Sequence, residues 1–272
     1  MEEAKIKIAA LQMESVIGKP DENREKVANL LEQCLGDDRV PDIIVLPEVW
    51  TVGWDCSKFI QTAEDLDGKT VTFLKDLAKK YNSYILGGSF IEKDVDEYYN
   101  TCPVVSPEGQ LIAKYRKNHL FSYYGCGEGS YVDRGENPVM VNILGYNVGL
   151  SICYDIRFPE IYRAYRKVGA DLIVNMAAWP LVRKKHWLSL TRARAVENQC
   201  YFVALTQTGF LSDGSRNLGH SLIYDYNGEV LDELSESEGV IYSEIEKKNM
   251  YDFRNKCTVL NDIHSVYEVV KC

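Results

Sequence analysis

The chain has no cysteine pair spaced for a metal. Its eight cysteines stand at 34, 56, 102, 126, 153, 200, 257 and 272, with no C-x-x-C among them and no H-x-x-x-H beside them, so the common zinc motifs are excluded and no metal is expected. Histidine is scarce, at four residues; His119, His186 and His220 are the partners available for a Cys–His pair, and none carries the local signature of one. Basic charge is in deficit, with 31 Lys and Arg against 40 Asp and Glu. The one dense basic stretch is Arg183-Lys184-Lys185, so nucleic acid is not the expected partner. No apolar run approaches the ~20 residues needed to cross a bilayer, so no membrane partner is expected. The opening Met1-Glu2-Glu3-Ala4-Lys5 lacks the basic-then-apolar layout of a secretory signal. A cytoplasmic location with reduced thiols is the resulting expectation. No Pro/Ser-rich linker interrupts the chain, and residues 1–272 read as one domain.

What is present is a regular alternation of buried strands and amphipathic helices. Ile6-Lys7-Ile8-Ala9-Ala10-Leu11-Gln12 reads as a strand, and 21–34 as a helix with Val27, Leu30, Leu31 and Cys34 on one face. Apolar strands follow at 42–46 and 84–90, separated by a helix over 69–81 with Val71, Leu74, Leu77 and Ala78 inward. Segments 100–105 and 111–115 form a hairpin around Pro107-Glu108-Gly109, and 118–137 reads as a long functional loop. A strand over 138–143 leads to another that ends at Ile152. The second half repeats the plan, with helices at 160–168 and 183–199 and strands at 171–175, 201–206, 220–224, 229–231 and 240–245. Asp42-Ile43-Ile44-Val45 with Trp50 echoes Asp171-Leu172-Ile173-Val174 with Trp179, each Trp eight residues after its Asp. Two sheets of related build, packed face to face with helices outside, are expected.

Three strand ends carry reactive side chains. The run Val148-Gly149-Leu150-Ser151-Ile152 stops on Cys153, and Pro159-Glu160 starts a helix six residues later. Such a turn presents a thiol beside backbone N–H groups that can stabilise a thiolate or an oxyanion. Leu46-Pro47-Glu48 places a carboxylate beyond a buried strand, and Tyr115-Arg116-Lys117 an amine beyond the hairpin. Any one of these alone is commonplace; the three together supply a nucleophile, a proton carrier and a fixed positive charge.

These segments resemble those of the nitrilase superfamily of carbon–nitrogen hydrolases. The resemblance runs in order through Ala10-Leu11-Gln12, Leu46-Pro47-Glu48, Tyr115-Arg116-Lys117 with His119-Leu120-Phe121, Cys153-Tyr154-Asp155-Ile156-Arg157-Phe158-Pro159-Glu160, the stretch from Arg192 to Gln199, and Gly219-His220-Ser221. It implies an α/β fold, an α-β-β-α sandwich of two packed mixed sheets with outer helices. It also implies a Glu–Lys–Cys triad that carries over to Glu48, Lys117 and Cys153, and a supporting glutamate that carries over to Glu128. A homodimer joined through the helices after the nucleophile is implied as well.

In such a site Cys153 attacks an amide carbonyl, Glu48 moves the protons, and Lys117 with the N–H of Tyr154 holds the oxyanion. No cofactor is required. Asn175-Met176-Ala177-Ala178-Trp179-Pro180 with Arg183 and His186-Trp187 resembles the ω-amidase branch, which implies a small dicarboxylate monoamide such as 2-oxoglutaramate as substrate. The Cys153 to Glu160 stretch also resembles the branch acting on deaminated glutathione. N-carbamoyl compounds are a further alternative, and a catalytically silent binding protein on the same fold is the alternative of a different class. The short chain argues against glutamine-dependent synthetases.

Arg157 and Arg183 are candidates for the substrate's far carboxylate, or else form ion pairs with residues such as Asp155 or Glu160. Tyr123 and Tyr124 set specificity or form an aromatic flap. Trp179 is a pocket wall or a core residue under a loop. His186 and Trp187 are expected to pack, and Arg192, Arg194 and Glu197 to form ion pairs or a subunit contact.

Overall fold

The computed structural model describes residues 5–36, 39–122, 127–211, 213–264 and 270–271. In chain order its elements are β1 (Lys5–Gln12), α1 (Pro20–Cys34), β2 (Ile43–Val45), α2 (Lys69–Tyr81), β3 (Tyr84–Leu86), β4 (Phe90–Asp94), β5 (Glu97–Val105), β6 (Leu111–Arg116), β7 (Met140–Ile143), β8 (Tyr146–Ile152), α3 (Pro159–Lys167), β9 (Leu172–Ala177), α4 (Lys184–Asn198), β10 (Tyr201–Thr206), β11 (Ser221–Tyr224), β12 (Val230–Leu234), β13 (Gly239–Glu246) and α5 (Lys247–Lys256). Among the described residues the strands form two sheets. One runs β13-β1-β2-β3-β5-β4 with β6 also on β5; the other runs β12-β11-β10-β9-β8-β7. Both are mixed. Parallel strands β1, β2 and β3 occupy the middle of the first and β8, β9 and β10 the middle of the second, flanked by antiparallel partners. The echo between Trp50 and Trp179 is thus an echo of topology: each follows the central parallel strand of its sheet.

Side-chain alternation with period two assembles the layers. Ile6, Ile8 and Ala10 of β1, Ile43 and Val45 of β2, Leu86 of β3 and Cys102 and Val104 of β5 point into the core shared with the second sheet. Their neighbours Ala9, Leu11, Ile44, Ile85 and Val105 point the other way, onto Val27 and Leu31 of α1 and Leu74, Leu77 and Ala78 of α2. On the far side, α3 and α4 cover the second sheet. The Tyr162 hydroxyl donates to Ser151 Oγ at 3.0 Å, and the Tyr165 ring lies over Gly149, where an added Cβ would come within 2.9 Å of it. The result is the α-β-β-α sandwich that the motifs implied.

Two segments depart from the sequence-based expectation. The single strand expected over 84–90 is broken at Gly87-Gly88 into β3 and β4. Gly88 has φ +63°, and a Cβ there would sit 2.1 Å from the Pro47 carbonyl oxygen, so the break lets the chain pass tightly under the residue that precedes Glu48. The second departure is α5, a helix not expected from the sequence. Met250 packs it onto the core, and polar contacts dock the rest. Arg254 donates to the carbonyls of Gln199 and Ala170, each at 2.9 Å, while Lys247 and Tyr251 hold the buried Asp171 at 2.8 and 3.1 Å.

Candidate active site

Cys153 follows the last residue of β8 and opens a short 3-10 turn, Cys153–Arg157. Its φ is +46°, a left-handed conformation that turns the side chain away from the strand direction. The N–H groups at the start of such a turn, Tyr154's among them, point outward from it. Asp155 fixes the turn from below. Its carboxylate accepts from the N–H of Ile152 at 2.8 Å, the Tyr115 hydroxyl at 2.6 Å and the N–H of His119 at 3.0 Å, and it meets His119 Nδ1 at 2.7 Å. The nucleophile turn and the segment carrying Lys117 are therefore stitched together through one buried carboxylate.

Glu48 lies three residues past β2, and Lys117 directly after β6. Val49 has φ +40°, a strained value for a β-branched residue. The strain is clamped on both sides: Ser89 Oγ accepts the Val49 N–H at 2.8 Å, and the Gln207 amide donates to the Glu48 carbonyl at 2.6 Å. The Glu48 side chain is thereby aimed at Lys117, whose Nζ donates to its Oε1 at 2.8 Å. The same ammonium donates to both oxygens of Glu128, at 3.1 and 2.9 Å. Glu128 opens a second 3-10 turn and also accepts the Phe121 N–H at 2.7 Å. Glu48 Oε2 accepts from the N–H of Ala178, just past β9, at 2.8 Å. Glu48, Lys117 and Glu128 are fully buried, and Cys153 is 5% exposed. Its Sγ lies 4.0 Å from the Ala178 carbonyl.

Electrostatics follow from this burial. Burial raises the Glu48 carboxyl above the usual carboxylate range, Glu128 adds to the rise, and Lys117 opposes it. For Lys117 burial opposes the charge, but Glu128, Glu48 and the Cys153 sulfur more than offset it and hold the ammonium well above its ordinary pKa. Burial, then the charge of Glu48, pushes the Cys153 thiol well up. The resting arrangement is a neutral thiol near a carboxylate of raised proton affinity, beside a fixed cation. It can deliver a thiolate at the moment of attack by moving one proton to Glu48, with the three groups titrating as a unit.

A cavity of about 570 Å³ opens above Cys153, walled by Trp54, Phe121, Arg157, Trp179 and Arg183. The buried charges lie behind the thiol. Trp179 lines the cavity and packs on the core residue Trp187, with ring centroids 5.2 Å apart. The Arg157 guanidinium sits 5.0 Å from the Trp179 ring centroid, and that of Arg183 5.4 Å from the Phe121 ring. The Tyr154 ring packs edge-on against Phe121 and Phe158, which leaves its backbone as the part nearest the chemistry. Tyr123 and Tyr124 lie outside the described residues.

The histidines are engaged elsewhere, His119 with Asp155, His186 with Arg157 and His220 with Lys184. Arg194 forms the expected ion pair with Glu197 at 2.8 Å. Among the described residues no group of three or more His, Cys, Asp or Glu is arranged to hold a metal ion, and no helix is long and apolar enough to cross a membrane.

Two polar residues at the site were not singled out from the sequence, Asn100 and Gln207. The signal for Asn100 is a polar residue in the buried part of a hairpin strand; for Gln207, a buried amide just past one.

The chain belongs to the carbon–nitrogen hydrolase family, whose model matches residues 7–255. It is 38% identical to a 2-oxoglutaramate amidase of Bacillus subtilis, over 94% of this chain and 96% of that protein. Among solved structures it resembles a carbon–nitrogen hydrolase superfamily protein of Xanthomonas campestris that carries an arsenic adduct in its active site, with a TM-score of 0.90, 28% identity and coverage of 98% of this chain and 100% of that one. It also resembles Nit3 of Saccharomyces cerevisiae, a member of branch 10 of the nitrilase superfamily, with a TM-score of 0.86, 30% identity and coverage of 93% and 94%. The enzyme class expected from the motifs, a hydrolase of carbon–nitrogen bonds, is the class of this protein.

Proposed function

We propose that this enzyme is an ω-amidase, hydrolysing the terminal amide of a small dicarboxylate monoamide such as 2-oxoglutaramate through a thioester on Cys153. The observation that carries the chemistry is the contact of Glu48, Lys117 and Glu128 behind a thiol that faces the cavity. Cys153 Sγ attacks the amide carbon as its proton passes to Glu48. The oxyanion forms against Lys117 Nζ and the Tyr154 N–H; one donor of this kind is worth about 3 kcal/mol of barrier. Glu48 returns the proton to the leaving nitrogen, which departs as ammonia and leaves the acyl group on sulfur. Water then attacks the thioester, giving its proton to Glu48, and the acid leaves as the thiol is restored. Glu128 supports Lys117 and keeps its charge fixed.

The Bacillus relative's substrate and the two arginines on the cavity wall support the choice of substrate. A carboxylate at the far end needs a cation or several donors. If one arginine supplies it, its change to Met raises KM for 2-oxoglutaramate about tenfold or more and leaves an uncharged amide of similar length almost unaffected. Equal losses on both substrates assign that arginine to structure. Ammonia release across a panel of ω-amides, deaminated glutathione, N-carbamoyl compounds and nitriles tests the whole reading. Preference for an uncharged amide overturns it.

The active form on this proposal is a cytoplasmic homodimer built on a single domain. Support comes from the free thiols of the six described cysteines and from apolar side chains on or beside the outer helices, Val168 at 63% and Val196 at 46% exposure. Light scattering at micromolar concentration is expected to give twice the 31.0 kDa chain mass. A species of single-chain mass refutes the pairing.

A further inference from the structure

Asn100 touches each of the three buried charged residues. Its backbone carbonyl accepts the N–H of Lys117 at 2.9 Å, which fixes where the lysine leaves β6. Its side-chain Nδ2 donates to Glu48 Oε1 at 3.1 Å and to Glu128 Oε1 at 3.0 Å. The residue is fully buried, and its Oδ1 finds no partner among the described residues. The amide has only one tolerable orientation, because the flipped form would aim an oxygen at two carboxylates. Leaving a buried acceptor unsatisfied is costly, so the position is organised around the NH₂ group.

The donors divide the two oxygens of Glu48 unequally. Among the described residues, Oε1 accepts from Lys117 Nζ and Asn100 Nδ2, whereas Oε2 accepts from the Ala178 N–H. Cys153 Sγ lies 4.0 Å from the carbonyl oxygen of the same Ala178. We infer that Asn100 is a positioning residue for the base: its amide reserves Oε1 of Glu48 as an acceptor and leaves Oε2 to carry the proton between Cys153, the leaving nitrogen and the attacking water. The inference rests on Glu48 being the base proposed above.

A second consequence concerns ionisation. The titratable groups facing Glu48 are Lys117 after β6, Glu128 in its 3-10 turn and Cys153 after β8. Two carboxylates share one ammonium, so one counter-charge is missing. The Asn100 dipole points at both and favours their charged forms. Removing it therefore raises the proton affinity of the base, and the ionised base is lost at a higher pH than in the wild type.

The test is the pH profile of kcat/KM for ammonia release, with the pH dependence of Cys153 alkylation by iodoacetamide as a readout that needs no substrate. Asn100→Leu keeps the branched shape and removes the donor. Its acid limb is expected to move up by about one pH unit. Activity then falls about tenfold at the acid end of the profile, and the loss shrinks as pH rises. Asn100→Asp replaces the donor with a third acceptor and moves the limb further. Asn100→Ser keeps a shorter donor and moves it less, and it carries the same readout should the leucine variant fail to fold. A uniform loss at all pH values, with the limb unmoved in both assays, overturns the inference. Glu48→Gln separates the two levels: inactive Glu48→Gln with an unmoved limb removes the role of Asn100 alone, whereas an active Glu48→Gln removes the base assignment and this inference with it.

Discussion

Cys153→Ala is expected to lower turnover by about 10⁵-fold or more while leaving the fold intact. The change deletes one sulfur, and alanine occupies the φ of +46° at no greater cost than cysteine. Stability therefore stays within about 1 kcal/mol of the wild type. The companion measurement is mass spectrometry of the wild type with a slowly turned-over amide, which should trap an acyl group on Cys153. Cys56 is the informative control, because it lines the same cavity. The Glu48–Lys117 pair acts on the Cys153 thiol, so proton carrier and oxyanion stabiliser are placed to serve a thioester on Cys153. Cys102 and Cys200 are poorer candidates still: burial pushes their thiols up to about 12 and about 11. The Cys153 thiol is also raised, and what sets it apart is the carboxylate–ammonium pair of Glu48 and Lys117 that acts on it. An adduct on Cys56, or undiminished activity in the alanine variant, removes Cys153 from the mechanism.

Much of this arrangement is legible in the sequence because the site is built at strand ends. The expected helix at 69–81 and the strand at 201–206 are found with those bounds, since each is a local pattern: one apolar face in α2, an unbroken apolar run in β10. Glu48, Lys117 and Cys153 stand just where such runs stop, so reactive side chains and strand boundaries could be read together. The supporting contacts leave no local trace. Asn100 reaches Glu48 across 52 residues of chain, and Gln207 reaches the Glu48 carbonyl across 159. Nothing in either residue's neighbourhood announces its partner. The α5 helix was illegible for a related reason: besides the single core residue Met250 it docks through Arg254 and Lys247, and polar docking has no period. The break at Gly87-Gly88 is set by the approach of Pro47, a contact between distant segments that a strand propensity cannot register. Contacts between segments distant in sequence, not local preference, decided these three features.

Glu48→Gln and Lys117→Ala are expected to be equally damaging to turnover and opposite in their effect on stability. Glu48→Gln removes both proton transfers and costs about 10³–10⁴-fold in turnover. The Lys117–Glu128 pair survives, with contacts of 2.9 and 3.1 Å, so the charge balance of the interior improves and the fold holds. Lys117→Ala takes away the oxyanion's cation and also strands two buried carboxylates. Removing one partner of a buried pair destabilises by about 3–5 kcal/mol. Those carboxylates can then remain buried only by binding protons, so the Glu48 carboxyl, already raised in the folded state, rises further above its unfolded value. Stability from such groups is fully present below the unfolded pKa and is lost as pH rises through the folded pKa. The thermal midpoint of Lys117→Ala should therefore be nearest that of the wild type in acid and fall away toward neutrality. Combining the two changes supplies the decisive comparison. With one carboxylate gone, the double variant should melt above Lys117→Ala alone at neutral pH, and its turnover should be no lower than that of the worse single variant. An equal shift in thermal midpoint from Glu48→Gln in the wild type and in Lys117→Ala would mean that Glu48 and Lys117 do not share one charge cluster, and simple multiplication of the two rate losses would mean that they do not act in one step.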